Sequence, residues 1–273
     1  MDDEVESNRT ERRRWNDEYW SAVWPRREQL TGAVTPVLFE HAGLKPGQRV
    51  LDIGSGAGIT SLAAASVVSP RGRVVGADIS RPLVDFATAR AREEGLSNLD
   101  FVVVDAQEDQ VPGSPFDVAI SQFGVMFFER PERAFDNIRS HLRPGGLLTF
   151  ACWRPISENP WQLSFALGRF LPPAGPLDPG ASPTGPFALA DAARTTDLLR
   201  STGWYEIRHT PHDVAATVER DAIVDEDQLE FLGVPAGQHA EAMAAVRSHL
   251  DAFRSDADRY TVTLAIHIFS ARA

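Results

Sequence analysis

Three aspartates, Asp52, Asp78 and Asp105, each fall at or near the end of an apolar run. Three glycines at alternate positions, Gly54, Gly56 and Gly58, follow the first of them. Carboxylates accept hydrogen bonds and attract cations; they repel phosphate. Glycine lacks a Cβ, so its backbone turns sharply and lets another group come close. An apolar strand followed by a glycine loop and a helix is a nucleotide cradle. The dinucleotide fingerprint asks for G-x-G-x-x-G or a terminal alanine, and counting from Gly54 the third place falls on Ile59. Asp52, just before the loop, is a poor neighbour for a pyrophosphate and suits a cationic ligand. Asp78 could accept from both hydroxyls of a ribose, Asp105 from the exocyclic amine of an adenine, and Asp52 could face an ammonium or a sulfonium. A ribose, an amino-substituted base and a cationic tail without phosphate describe S-adenosylmethionine. Each aspartate alone would serve equally as a strand-end polar residue or a helix cap; it is the set that points to a ligand.

Such residues work only if a sheet brings them together. Strands are expected at 49–53, 73–78, 100–104, 116–121 and 147–152. Between them lie a helix after Gly58, one capped by Ser80 with Pro82 in its first turn and ending at Gly95, and one at 131–142. Strands separated by helices of this length make right-handed βαβ units and a parallel sheet, and ligands bind beyond the carboxyl ends of its strands. Ahead of the sheet, residues 1–10 are polar and expected to be disordered. A helix over 11–24 carries the aromatic stripe Trp15, Tyr19, Trp20 and Trp24 and is stopped or kinked at Pro25. A second helical stretch, 26–42, divides at Thr35-Pro36. Behind the fifth strand the rhythm breaks. Residues 155–190 are rich in proline and glycine, densest at 172–186, as in a functional or disordered loop. A helix at 191–202, strand-like segments at 204–209 and 213–218, amphipathic helix over 221–254 and a strand at 260–270 complete the chain. The organisation is an arm or lid (1–45), a cofactor-binding core (46–153), a cap (154–203) and the remainder of the same sheet (204–273), together one structural domain.

Bulk properties exclude several classes. The 273 residues carry a net charge of −11, which opposes a nucleic-acid partner. Cys152 is the single cysteine, so no internal disulfide forms and a reducing compartment is expected. The N-terminus is acidic and unlike a secretory signal, and no apolar run approaches the ~20 residues of a membrane span. A cytoplasmic protein without a metal site is expected, and a homodimer is compatible with it.

Five runs in order, Val-Leu-Asp-Ile-Gly-Ser-Gly-Ala-Gly, Val-Val-Gly-Ala-Asp-Ile-Ser, Val-Val-Val-Asp-Ala-Gln, Phe-Asp-Val-Ala-Ile-Ser-Gln-Phe-Gly and Leu-Arg-Pro-Gly-Gly-Leu-Leu, resemble the class I S-adenosylmethionine-dependent methyltransferases. The resemblance is strong over 48–153 and is closest to the branch acting on small molecules, including quinone precursors and natural products. It implies a Rossmann-like α/β/α sandwich with a seven-stranded sheet whose last strand is antiparallel. It also implies cofactor contacts at Gly54, Gly56, Asp78, Ile79, Asp105, Ala106, Gln107 and Ser121. Enzymes of the family that act on nucleic-acid amino groups carry Asn/Asp-Pro-Pro-aromatic after the fourth strand; here the place reads Ser121-Gln122-Phe123-Gly124, in keeping with the acidic charge.

The acceptor should then be covered by elements outside the sheet. Trp20, Phe123, Met126, Trp153 and Trp161 are the candidates to touch it, although each tryptophan could equally serve in packing. Trp20 or Trp24 would shield the methionine end of the cofactor, and Arg26 or Arg27 could pair with its carboxylate. No general base stands out: the histidines are scattered, and Glu158, Tyr19 and His212 are the candidates that remain. A base is not essential. Positioning can contribute ~7–11 kcal/mol, whereas a general base contributes ~10²–10⁴-fold, or roughly 3–5 kcal/mol. The expectation is methyl transfer to O, N or C of a small, partly apolar molecule. One alternative keeps fold and cofactor without methyl transfer, as a regulatory module or a cyclase. A nicotinamide dehydrogenase is disfavoured by the missing third glycine and by the sole lysine, Lys45, which leaves no Tyr-x-x-x-Lys pair.

Overall fold

A computed structural model describes residues 8–171 and 184–273. Three helices, α1 (Arg9–Trp15), α2 (Glu18–Thr31) and α3 (Thr35–Ala42), precede β1 (Arg49–Ile53), α4 (Ile59–Val68), β2 (Arg73–Asp78), α5 (Arg81–Glu93), β3 (Leu99–Val103) and β4 (Phe116–Gln122). Then come α6 (Pro131–Ser140), β5 (Leu142–Trp153), α7 (Ser164–Leu167), α8 (Ala192–Ser201), β6 (Tyr205–Glu219), α9 (Glu226–Phe231), α10 (His239–Leu250) and β7 (Arg259–Arg272). The strands form one seven-stranded sheet in the order β3-β2-β1-β4-β5-β7-β6. The first five are parallel, and β7 runs antiparallel between β5 and β6. The sheet flanked by helices is the Rossmann-like architecture that the sequence implies. Val50, Leu51, Ile53, Val118, Ile120, Leu148 and Phe150 are all buried, as strands covered on both faces require.

Local chemistry explains where the elements begin and end. Ser80 Oγ accepts from Leu83 N at 3.3 Å and caps α5. Asp17 accepts from Tyr19 N at 2.9 Å and caps α2. That cap divides the expected single helix over 11–24 in two, and α2 then runs through position 25 to Thr31. The two strand-like segments at 204–209 and 213–218 are one strand, β6, which contains Pro211. Proline is admissible there because β6 is an edge, where a missing N–H breaks no ladder. The expected helix over 221–254 is interrupted at Gly233, whose φ of +80° ends α9, and resumes as α10. Of the N-terminal stretch expected to be disordered, Asn8 stands at the N-cap of α1, residues 9 and 10 form part of its first turn, and 1–7 lie outside the described residues. So do residues 172–183, most of the dense proline-glycine run. Among the described residues no helix is long and apolar enough to cross a membrane.

Candidate functional site

The carboxyl ends of β3, β2, β1, β4 and β5 open onto one cavity of about 300 Å³. Five adjacent strand ends span roughly 19 Å at the usual spacing of about 4.8 Å. Asp105 lies at one end of this row, Asp78 and the glycine loop follow, and Phe123 and Trp153 lie at the other end.

The three loop glycines have separate duties. At Gly54, with φ +67°, a Cβ would stand 2.6 Å from Gly124 Cα, so the loops after β1 and β4 pack backbone to backbone. At Gly56 a Cβ would meet the indole of Trp24 at 3.1 Å; the space that glycine leaves is taken by the Trp24 ring. A Cβ at Gly58 would press on Phe101 and Ala87, which seat α4 and α5 against β3. The loop is therefore fixed by packing, and Gly56 N donates to Asp78 Oδ2 at 2.8 Å.

The aspartates separate likewise. Asp78 accepts from Gly56 N and, through Oδ1, from Ser80 N at 2.9 Å. Burial pushes its carboxyl up and these backbone N–H groups oppose that. A carboxylate has about four acceptor sites, so Asp78 retains capacity toward the cavity. Asp105 Oδ1 accepts from Asn8 Nδ2 and Gln107 N, both at 2.9 Å, while its buried Oδ2 has no partner. Burial raises its pKa as well. Asp52 does not reach the cavity: it is fully buried beneath the loop, with Oδ2 accepting from Thr60 Oγ1 and from Ser61 Oγ at 2.6 Å. Burial pushes it up to about 6. Its expected role facing a cationic tail is replaced by one of tying β1 to the first turn of α4.

The N-terminal helices cover this row. Trp15 is the hub of an aromatic cluster, 4.7 Å from Trp20, 5.9 Å from Trp24 and 5.1 Å from Phe127 between ring centroids. Its indole donates to Glu11 Oε2 at 3.1 Å. Two bonds latch α1 to the start of α5: Ser80 Oγ donates to Trp15 O at 2.6 Å, and Arg81 N to Asn16 Oδ1 at 2.9 Å. Asn8 completes the strap on Asp105 and the Glu129 backbone.

Residues 50–146 match the methyltransferase domain family. An uncharacterised protein of Mycobacterium tuberculosis is 32% identical over 155 residues, 57% of this chain and 52% of that protein. The ubiquinone/menaquinone biosynthesis C-methyltransferase UbiE of Ectopseudomonas mendocina is 37% identical over 110 residues, 40% of this chain and 43% of that enzyme. The chain spans about half the length of the curated relatives it matches. The solved structure of YcgJ from Bacillus subtilis has the same fold, with a TM-score of 0.59 at 17% identity, over 87% of this chain and 97% of that one. Over residues 50–146 the chain is similar to the class I S-adenosylmethionine-dependent methyltransferases.

Gly54, Gly56, Asp78, Ile79, Asp105, Ala106, Trp20, Trp24, Phe123, Met126, Trp153 and Trp161 all line this cavity. Gln107 and Ser121 do not. Gln107 is buried, its Oε1 accepting from Arg130 N at 2.7 Å, and Ser121 Oγ donates to Ile53 O at 2.7 Å beneath the β1 loop. The arginines expected to hold a carboxylate are committed elsewhere. Arg26 pairs with Asp225 at 3.3 Å, and Arg27 donates to the carbonyls of Ala222 and Ile223 and to Gln228. Glu158 pairs with Arg154, Tyr19 meets Arg27, and His212 pairs with His41 at 2.9 Å; none of the three lines the cavity. Sequence reasoning missed Asn8, Glu11 and Trp15 as site residues. Trp15 was visible in the aromatic stripe; Asn8 and Glu11 carry no signal until the strap is folded.

Proposed function

We propose that this protein transfers the methyl group of S-adenosylmethionine to a small, partly apolar acceptor. The observation that carries the reading is the unpartnered, buried Asp105 Oδ2 at the end of the strand row. An orphaned buried acceptor costs about 1–3 kcal/mol, and an adenine amine beside it would recover that. Asp78, one strand over, would take the ribose hydroxyls, and the methionine end would lie along Gly54 and Ser55, beside the Trp24 ring. Ser55 Oγ, buried within the loop and also without a partner, adds a hydroxyl beside it.

S-adenosylmethionine, when bound, supplies an electrophilic methyl group on a positively charged sulfur. The chain's residues exclude water and orient. The Trp15, Trp20, Trp24 and Phe127 cluster closes the row from above, and indole faces favour a neighbouring cation by about 0.5–2 kcal/mol. Positioning and water exclusion then do most of the work. The net charge of −11 favours a small molecule over a nucleic acid as acceptor.

Calorimetry with S-adenosylhomocysteine tests the reading. Binding of one equivalent, with no binding of NADH, is expected; NADH binding in its place would overturn it.

A further inference from the structure

Adenine and its deaminated form differ in one ring substituent: an amine, which donates, against a carbonyl, which accepts. A carboxylate answers only the first; a protonated carboxyl, with one O–H, answers the second as well. Which base a site takes then depends on whether its carboxyl stays ionised and which oxygen it shows. Asp105 is 3% exposed, and burial pushes its carboxyl toward the protonated form. Gln107 N, the Asn8 amide and the Arg12 guanidinium oppose this. Asp109, whose Oδ2 accepts from Asp105 N at 2.8 Å, pushes the same way as burial. Glu11 of α1 lines the same cavity, its carboxylate held by Arg14 and Trp15.

Asn8 reaches this carboxyl from 97 residues away. It is itself buried and holds φ +55°, a left-handed conformation that asparagine adopts more readily than most residues. Every polar group it has is used. Its carbonyl accepts from Arg12 N at 2.7 Å and starts α1. Its N–H donates to Glu129 Oε2, and its Oδ1 accepts from Glu129 N, both at 3.2 Å. Its Nδ2 donates to Asp105 Oδ1 at 2.9 Å. An asparagine at an N-cap ordinarily turns its side chain back to the helix's own N–H groups; the Asn8 side chain makes no such bond and goes to Asp105 instead. Because Glu129 N takes the amide oxygen, the NH₂ is the end left for Asp105; a flipped amide would set oxygen against oxygen. With Gln107 N and Asn8 both on Oδ1, Oδ2 is the oxygen left for the cavity that Asp105 lines.

We infer that Asn8 is a specificity-determining positioning residue: acting through Asp105, it sets the site to take an amino purine and to refuse the oxo purine. The inference rests on the methyltransferase reading. The Asn8 NH₂ favours the ionised carboxyl, since a hydrogen bond to a charged oxygen is stronger than one to a neutral oxygen. It also fixes Oδ1, so that Oδ2 meets the base. An amine there donates to Oδ2. A carbonyl there faces a carboxylate and leaves two buried acceptors unmet. Strap docking and base recognition thus use the two oxygens of one carboxyl, and the site discriminates only when the strap is docked.

The test is calorimetry on the full chain with S-adenosylhomocysteine and S-inosylhomocysteine, which differ in that amine and carbonyl. The wild type should prefer the adenosyl compound about 10- to 150-fold, the worth of one charged hydrogen bond. Asn8→Gly keeps the left-handed backbone easy and removes the amide. Asn8→Ser, one atom shorter, keeps a good N-cap for α1 and puts no NH₂ on Asp105. In both variants the preference should shrink about tenfold at pH 6 and by less at pH 7.5. Without its donor the carboxyl takes up a proton at higher pH, and its O–H then serves the carbonyl. Variants that keep the wild-type ratio at both pH values overturn the inference, even if both bind more weakly, since a strap held only for structure would weaken the two compounds alike. Equal affinity of the wild type for the two compounds overturns it without any variant. Binding of neither compound overturns the methyltransferase reading beneath it.

Discussion

The two ends of the cavity are built on different principles. Over β2 and β3 the work is done by carboxylates whose oxygens are fixed by backbone N–H groups: Asp78 by Gly56 and Ser80, Asp105 by Gln107 with Asn8. Over β4 and β5 it is done by ring faces, Phe123 on Trp153 with Trp161 beside them. A fixed carboxylate recognises one arrangement of donors. A stack of rings accepts any flat apolar body and leaves its orientation to the few polar atoms nearby. On the proposed reading the methyl donor would be held by directed bonds and the acceptor by shape.

Gly54 lies between the ends and offers the severest way to disturb both. Gly54→Ala places a Cβ 2.6 Å from Gly124 Cα and holds a non-glycine residue at φ +67°. Backbone strain of about 1–3 kcal/mol and overpacking of similar size give a loss of about 2–6 kcal/mol. A large fall in thermal midpoint with loss of S-adenosylhomocysteine binding is expected; a wild-type melt and affinity would show that the two loops are not in contact. Asp105→Asn reaches one end only. Because Oδ1 is held by two donors, the new amide NH₂ takes the place of Oδ2 and faces the adenine amine, donor against donor. A lost charged hydrogen bond is worth about 1.5–3 kcal/mol, so S-adenosylhomocysteine affinity should fall about 10- to 150-fold by calorimetry, with the melt little changed.

The carboxylate end was legible in the sequence because its geometry is local. A strand, a carboxylate and a turn within a few residues fix where Asp78 and Asp105 point, and the βαβ rhythm brings their strands side by side. The same reasoning misplaced Asp52, since the sequence does not tell a carboxylate facing a cavity from one facing the hydroxyls of Thr60 and Ser61 on the next helix. Gln107 and Ser121 were misplaced for a like reason: one is consumed by Arg130 N and the other by Ile53 O. The aromatic end was less legible. Trp153 and Trp161 could be named, but that Phe123 stacks on Trp153 depends on a left-handed backbone at Phe123. Asn8 became a site residue only through the fold of the strap, by its contacts with Asp105 and Glu129 far along the chain, and Glu11 lines the cavity while held by its near neighbours Arg14 and Trp15.

Asp52 gives a control that touches neither end. Its carboxyl is pushed up to about 6 from an ordinary 3.8 by burial. The folded protein then holds a proton that the unfolded chain has released, so stability falls as pH rises from about 4 to about 6 and stays lower above that. An asparagine has no proton to lose. Asp52→Asn should match the wild type near pH 4 and exceed it at pH 8 by about 1–3 kcal/mol, from a shift worth about 1.4 kcal/mol per unit. Urea melts at the two pH values read this directly. S-adenosylhomocysteine affinity should stay within about twofold, because Asp52 does not face the cavity; a large loss of affinity would return it to the site.

Phe123→Ala is the reciprocal of Asp105→Asn and carries the smallest expected effect. The backbone strain at this position remains, since alanine at φ +67° is no easier than phenylalanine, so folding cannot relax by that route. What disappears is the ring stacked on Trp153, a pair worth about 0.5–1.5 kcal/mol beyond its area. The acceptor's kcat/KM should fall about two- to tenfold while S-adenosylhomocysteine affinity holds, the reverse of the pattern at Asp105. Equal losses in both would mean that the stacked wall also carries the methyl donor, and that the cavity has one recognition surface instead of two.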